Sequence, residues 1–166
     1  VDGTEQADIS ASGGSDAQSK STEKSLARRL TILPQLLAQA IDELVAEHSA
    51  HVVVKTSVLE KSGNALLLSD DLATPHTIAK NTKREIAHVH TEIGNADYSL
   101  HLCVSPTDCK EVIMKGWGER MTLAGSLMPE EYLIIYTPRT KEEVAVVKDI
   151  VAAAIAFMAG GRAYVE

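Results

Sequence analysis

Two short runs constrain this chain more than anything else in it. Residues 84–91 read REIAHVHT and residues 98–104 read YSLHLCV. Both alternate apolar with polar side chains, and a period of two belongs to a β-strand with one buried face. Between them EIGNAD, residues 92–97, gathers the Gly, Asn and Asp of a turn. A β-hairpin follows. In it Ala87, Val89, Leu100, Leu102 and Val104 share one face, and this purely apolar face must be the core. Ile86, His88 and His90 on one strand, and Ser99, His101 and Cys103 on the other, take the opposite face. An apolar sheet face has to be covered, so the rest of the chain must supply amphipathic helices.

It does so three times. Leu33, Leu36, Leu37, Ala40, Ile41, Leu44 and Val45 recur at helical spacing, with Pro34 in the first turn, where proline is tolerated. The preceding piece, Glu23 to Leu30, reads as a separate turn or two of helix. Ser105, Pro106 and Asp108 punctuate the start of a second helix, and Lys115 and Gly116 its end. Thr140 caps a third, with Glu143 in the capping-box position. Val144, Val147, Val151, Ala154, Ile155 and Met158 form its stripe, and Gly160 and Gly161 stop it. HVVVKTS (51–57) and EYLIIYT (131–137) read as further strands, ALLLSD (65–70) as a weaker strand or a loop, and 71–82 as irregular. The expectation is a single α+β domain over residues 22–161: a small, mostly antiparallel sheet of four to five strands covered by helices. Residues 1–21, rich in Ser, Gly, Ala and Asp, are expected to form a disordered arm, and 162–166 a C-terminal tail.

Composition removes several function classes. A net charge of −7 argues against a nucleic-acid surface. There is no apolar run of about eighteen residues to span a membrane, and no signal peptide is visible. The two cysteines, Cys103 and Cys109, are expected as buried thiols, although a disulfide between them is geometrically open. That leans toward an intracellular, cytoplasmic setting. An exposed strand edge would permit a homodimer.

Half of the chain's six histidines fall on the polar face of the hairpin. Three readings stay open. His88, His90 and His101 can bind a metal, with Glu92 or Glu119 as a further ligand. They can act without metal as acid–base and anion-binding groups. Or they are hydrogen-bonded members of a partly buried sheet. KGWGER, residues 115–120, is the second unusual stretch. Gly116 ends a helix, Gly118 allows a sharp turn or a close backbone approach, and Trp117 can wall a ligand pocket or anchor the core.

Taken together, TKREIAHVH, SLHLCVSPTDCKEVIMKGWGERMTLAG and YLIIYTPRTKEEVAVVKDIVAAAIAFM resemble the fungal luciferase family and the wider set of luciferase-domain proteins, over about Thr82 to Met158. The Lys-Gly-Trp-Gly core is the most specific part of the match. Fungal luciferases are described as oxygenases without metal or flavin that add O2 to a hydroxypyrone, 3-hydroxyhispidin. The cyclic peroxide so formed loses CO2 and leaves an excited product. The resemblance therefore implies a cofactor-independent enzyme, with molecular oxygen as co-substrate, acting on a small phenolic, hydroxypyrone or polyketide-derived compound. His88, His90 and His101 would be its acid–base and anion-binding groups. Trp117 would pack on the ligand, Lys83 or Arg120 would hold an oxyanion, and Ser99 and Glu119 would line the site. The chain departs from the family pattern after Arg120, where Met121 and Thr122 stand in place of His-Pro. Its hairpin turn also reads as longer, and it has no hydrophobic N-terminal membrane segment. These departures imply a relative that does not emit light. They also leave open a binding module that kept the fold and lost the chemistry.

Overall fold

A computed structural model describes residues 32–91 and 96–161. The expected arm (1–21), the helical piece before Leu30, most of the hairpin turn and the tail (162–166) lie outside them. By contacts the chain divides into Val1–Ile32 and Leu33–Glu166. The architecture below is that of the second unit.

Its first helix, α1, runs to residue 47. There follow β1 (Val52–Thr56), β2 (Asn64–Leu68), α2 (Thr77–Asn81), β3 (Glu85–Val89), β4 (Leu100–Cys103), α3 (Pro106–Met114), β5 (Gly118–Arg120), β6 (Tyr132–Ile135) and α4 (Lys141–Met158). The six strands form one sheet in the order β1-β2-β3-β4-β6-β5. Every neighbouring pair is antiparallel. The α+β expectation holds, with one strand more than expected.

The apolar face reads as the alternation requires. Leu66, Ala87, Leu100, Leu102, Leu133 and Ile135 are in cross-strand register, and all are buried. Leu37 and Leu44 of α1 and Val147, Val151 and Ile155 of α4 bury in the same core. Each such side chain contributes roughly 1.5–3 kcal/mol by leaving water. The helix ends follow their punctuation. Ser105 Oγ accepts from the Asp108 amide at 3.2 Å, and Pro106 opens α3. Thr140 Oγ1 accepts from the Glu143 amide at 3.2 Å.

Three segments differ from the sequence reading. ALLLSD supplies a full interior strand, because four consecutive residues of β2 are buried. Residues 71–82 contain the short helix α2, capped by His76, whose Nδ1 accepts from the Ala79 amide. GWGER holds the edge strand β5 rather than a turn. It forms because residue 118 is glycine: a Cβ there would lie 2.4 Å from the Ile134 carbonyl oxygen, so β5 pairs with β6 only without a side chain at that position. Gly118→Ala is expected to destabilise the fold by roughly 1–3 kcal/mol through this overlap. Urea unfolding would read it as a lower midpoint at unchanged slope. An unmoved midpoint would mean that β5 and β6 do not approach so closely.

Candidate functional site

The second face of the sheet carries the chemistry. His88 of β3 and His101 of β4 are directly opposed across the ladder. His90 follows one alternation later. The ring centroids are 5.2 Å apart for His88–His101, 5.4 Å for His88–His90 and 4.8 Å for His90–His101. The structure thus brings the three histidines together, and it buries them. His88 is 4% and His101 6% exposed, and only His90 reaches partly to solvent. The strip is therefore neither an open surface nor a solvated face.

Each ring is oriented by a specific partner. Nδ1 of His88 lies 2.6 Å from Oε1 of Glu85. A carboxylate only accepts at neutral pH, so Nδ1–H donates, and Nε2 is the atom that turns to the other histidines and Glu60. Nδ1 of His90 lies 2.9 Å from Ser99 Oγ, and Ser99 Oγ donates to Asp97 Oδ1 at 2.8 Å. Ser99 has a single hydroxyl proton, already given to Asp97. His90 must then donate from Nδ1, which leaves its Nε2 for another partner. His101 stacks on Tyr132, in parallel rings 5.2 Å apart. Burial, then the neighbouring His88 and His90, hold the His101 imidazole down to about 4, so it is neutral at neutral pH.

Glu85 is the residue that strict alternation hides. Leu66 pairs with Ala87, but Leu67 pairs with Glu85, so Ile86 is an extra residue in β3. This β-bulge resets the alternation. It brings Glu85 onto the histidine face, and Ile86 falls out of the sequence-based set. The Glu85 carboxylate also accepts from Ser57 Oγ at 3.0 Å and from the Val58 and Leu59 amides at 2.7 and 3.2 Å. Burial works to raise its pKa, but the bonds from His88, Leu59 and Val58 outweigh this and hold the carboxyl below its usual range. Those amides belong to the β1–β2 loop, which therefore hangs on Glu85. The same loop carries Glu60, whose Oε1 stands 3.5 Å from His88 Nε2. That is an ion-pair distance rather than a formed hydrogen bond, and His88 Nε2 has no hydrogen-bond partner. Buried His101 Nδ1 has none either. One donor atom from each of Glu60, His88, His90 and His101 lies within 4.8 Å of the others.

The other sequence-predicted site residues fall differently. Ser99 joins the cluster as the partner of His90. Trp117 lies in crevices with Val104, Val112 and Ile150, and with Tyr136 and Pro138, rather than among the histidines. Arg120 is exposed and pairs with Leu133, on the helix-covered face. Glu119 shares the histidine face, but it is exposed on the edge strand and paired with Ile134. Lys83 is exposed in the turn before β3, at a φ of 55°. Its neighbour Arg84 is tied to backbone: its guanidinium donates to the Ser69 and Leu72 carbonyls and to Thr74 Oγ1. Glu92 lies outside the described residues. Met121, where the resemblance implied a His, continues the pairing through its amide to the Tyr132 carbonyl, and its Sδ accepts from the Leu123 amide. The cysteines are free and buried, and burial pushes the Cys109 thiol up to about 12.

Sequence reasoning missed Glu60, Glu85, Asp97 and Tyr132. Asp97 had a readable signal, since an Asp two residues before a Ser at a strand entrance can bond that residue's amide, as it does here at 2.9 Å. A separate cleft of about 240 Å³ opens on the helix-covered face, between Leu37 and Ile41 of α1 and Leu66, Ala87 and Leu100 of the sheet. His88 also borders this cleft, whereas His90 and His101 do not. Among the described residues no helix is long and apolar enough to cross a membrane.

The protein is an α+β domain: a small antiparallel sheet, helices against its apolar face, and a partly buried cluster of three histidines and two carboxylates on the other. Comparison with known proteins places it. Residues 83–154 match the Luciferase domain. The chain is 39% identical to a luciferase of Armillaria mellea over 136 residues, covering 76% of this chain and 50% of that protein. It is 38% identical to a luciferase of Neonothopanus nambi over 134 residues, covering 75% and 49%. No solved structure matches it. These matches support a fungal luciferase-domain family, and the chain spans about half the length of the curated relatives it matches.

Proposed function

We propose that the histidine cluster is the reaction site of an oxygen-using enzyme acting on a small enolisable compound of the phenolic, hydroxypyrone or polyketide-derived kind. The observation that carries this reading is the convergence of three imidazoles, two of them buried, with His88 Nε2 and His101 Nδ1 left without a hydrogen-bond partner. One of these imidazoles can take the proton of the enol, and the imidazolium so formed pairs with the enolate oxygen. An enolate is electron-rich and reacts with O2 directly. Its carbon forms a bond to oxygen, O2 is the oxidant, and the proton lost from the enol passes to the site or to solvent. The low-dielectric surroundings strengthen each charge interaction at that step. Family membership and the relatives' printed function support the same reaction class.

Oxygen uptake with a panel of hydroxypyrones and simple polyphenols tests this reading. Uptake above the protein-free rate is expected for at least one of them, falling about 100-fold or more in His90→Ala. His90 is the most accessible of the three rings, so this variant retains the fold. Turnover unchanged in His90→Ala would place the chemistry elsewhere. Binding without uptake would support the non-catalytic reading that Met121 suggests.

A further inference from the structure

We infer that the cluster is a binding site for a divalent first-row transition metal, held by His88, His90, His101 and Glu60. The inference deepens the reading of the cluster as the reaction site and replaces the cofactor-free chemistry that the resemblance implied. It rests on the geometry of the cluster. Glu85 accepts from His88 Nδ1, and Ser99, itself bonded to Asp97, accepts from His90 Nδ1. The Nε2 atoms of both rings are thereby left for another ligand. His88 Nε2 and His101 Nδ1 are buried without a hydrogen-bond partner. Glu60 adds a carboxylate oxygen, and one donor atom from each of the four residues lies within 4.8 Å of the others.

Nitrogen and carboxylate groups gathered this way in a mostly buried space are met together by a cation. A proton on His88 Nε2 serves Glu60 but leaves His90 and His101 unmet. A metal ion meets all of them. The outer partners fit the same role: a carboxylate or a hydroxyl–carboxylate pair on the far nitrogen fixes the tautomer of a ligating histidine and raises its basicity. Glu85 is a positioning residue here, because it touches His88 and the Glu60 loop and not the space between the donors. Three imidazoles and one carboxylate suit Zn, Fe, Cu or Ni rather than Ca or Mg. Bonds of about 2.0–2.1 Å in a tetrahedral site require donors roughly 3.3 Å apart, so the cluster must draw in on binding. Glu60, half exposed on a loop, has the freedom to move. A cation there would hold an enolate oxygen, which supplies the ionisation that the proposed reaction needs.

Cobalt(II) titration of tag-free, chelator-stripped protein tests the inference without any substrate. Visible ligand-field bands saturating at about one equivalent per chain are expected, with a rise in the thermal midpoint. His90→Ala should weaken binding at least about 10-fold while circular dichroism stays native, and Glu85→Gln should weaken it about 10–100-fold through His88 alone. Elemental analysis of protein as purified is expected to return a transition metal at a comparable ratio. Absence of bands with folded protein would overturn the site, as would an unchanged cobalt affinity in His90→Ala. If the buried variants fail to fold, competition of zinc(II) against cobalt(II) on the unaltered protein still decides: displacement supports the site, and indifference overturns it. Oxygen uptake that persists after complete metal removal would leave the proposed reaction standing and overturn the metal's part in it. Metal binding without uptake would do the reverse.

Discussion

Glu85→Ala is expected to lower stability by about 3–5 kcal/mol, the loss that follows when a buried charged partner is removed from groups built around it. The side chain is 1% exposed. Its carboxylate is the acceptor for the Val58 and Leu59 amides, the Ser57 hydroxyl and His88 Nδ1. Alanine leaves four donors without an acceptor in a space that water enters poorly, and each unmet donor costs roughly 1–3 kcal/mol before relaxation. Relaxation is available, because the Ser57–Gly63 loop can swing outward and hydrate its amides. That movement would take Glu60 away from His88. Urea unfolding followed by far-UV circular dichroism measures the loss. Glu85→Gln should lose less, because one oxygen and the side-chain shape remain. A midpoint for Glu85→Ala equal to that of the parent would show that the loop does not hang on this carboxylate.

Phe157→Ala should have an effect of similar size, about 3–5 kcal/mol, for a different reason. The ring is fully buried near the end of α4 and stacks on His76 at 4.6 Å with the planes 26° apart. His76 Nδ1 accepts from the Ala79 amide, so Nε2 carries the proton and donates to the Phe157 carbonyl at 3.0 Å. That bond goes to backbone and survives truncation. The loss is therefore one of packing, with a cavity left between α4 and the segment that caps α2. Hydrogen exchange should quicken first in residues 76–82, where the helix is short and the cap leans on this ring. Thermal or urea unfolding within about 1 kcal/mol of the parent would mean that the core collapses around the gap.

Much of this fold is written in side-chain periodicity. The hairpin face, the stripes of α1 and α4 and the caps at Ser105 and Thr140 are local patterns, and local patterns survive translation into structure. The gathering of His88, His90 and His101 follows from the same arithmetic. Two kinds of information were not local. Burial of the histidine face depends on segments distant in sequence, chiefly the β1–β2 loop, whose place is set by a hydrogen-bonded carboxylate 25 or more residues away. Glu85 itself was hidden because the bulge at Ile86 breaks the alternation on which any face assignment relies. The strand β5 was missed since three residues are too few to show a period, and Gly118 reads as a turn until its close approach to Ile134 is seen. Trp117 drew attention for its rarity, yet the crevices it lines belong to the helix side of the sheet.

The extra residue at Ile86 has a consequence for inheritance. Insertions in strands are usually counted as damage, but a bulge absorbs one residue without disturbing the pairs on either side of it. Were the same residues paired in strict alternation, Glu85 would enter the hydrophobic layer between sheet and helices, and His88 would keep its ring but lose its anchor. Loss of the codon for Ile86 would instead keep Ala87 opposite Leu66 and Glu85 opposite Leu67, so the histidine face tolerates either strand length. Relatives should be compared at this point by pairing register as well as by residue identity.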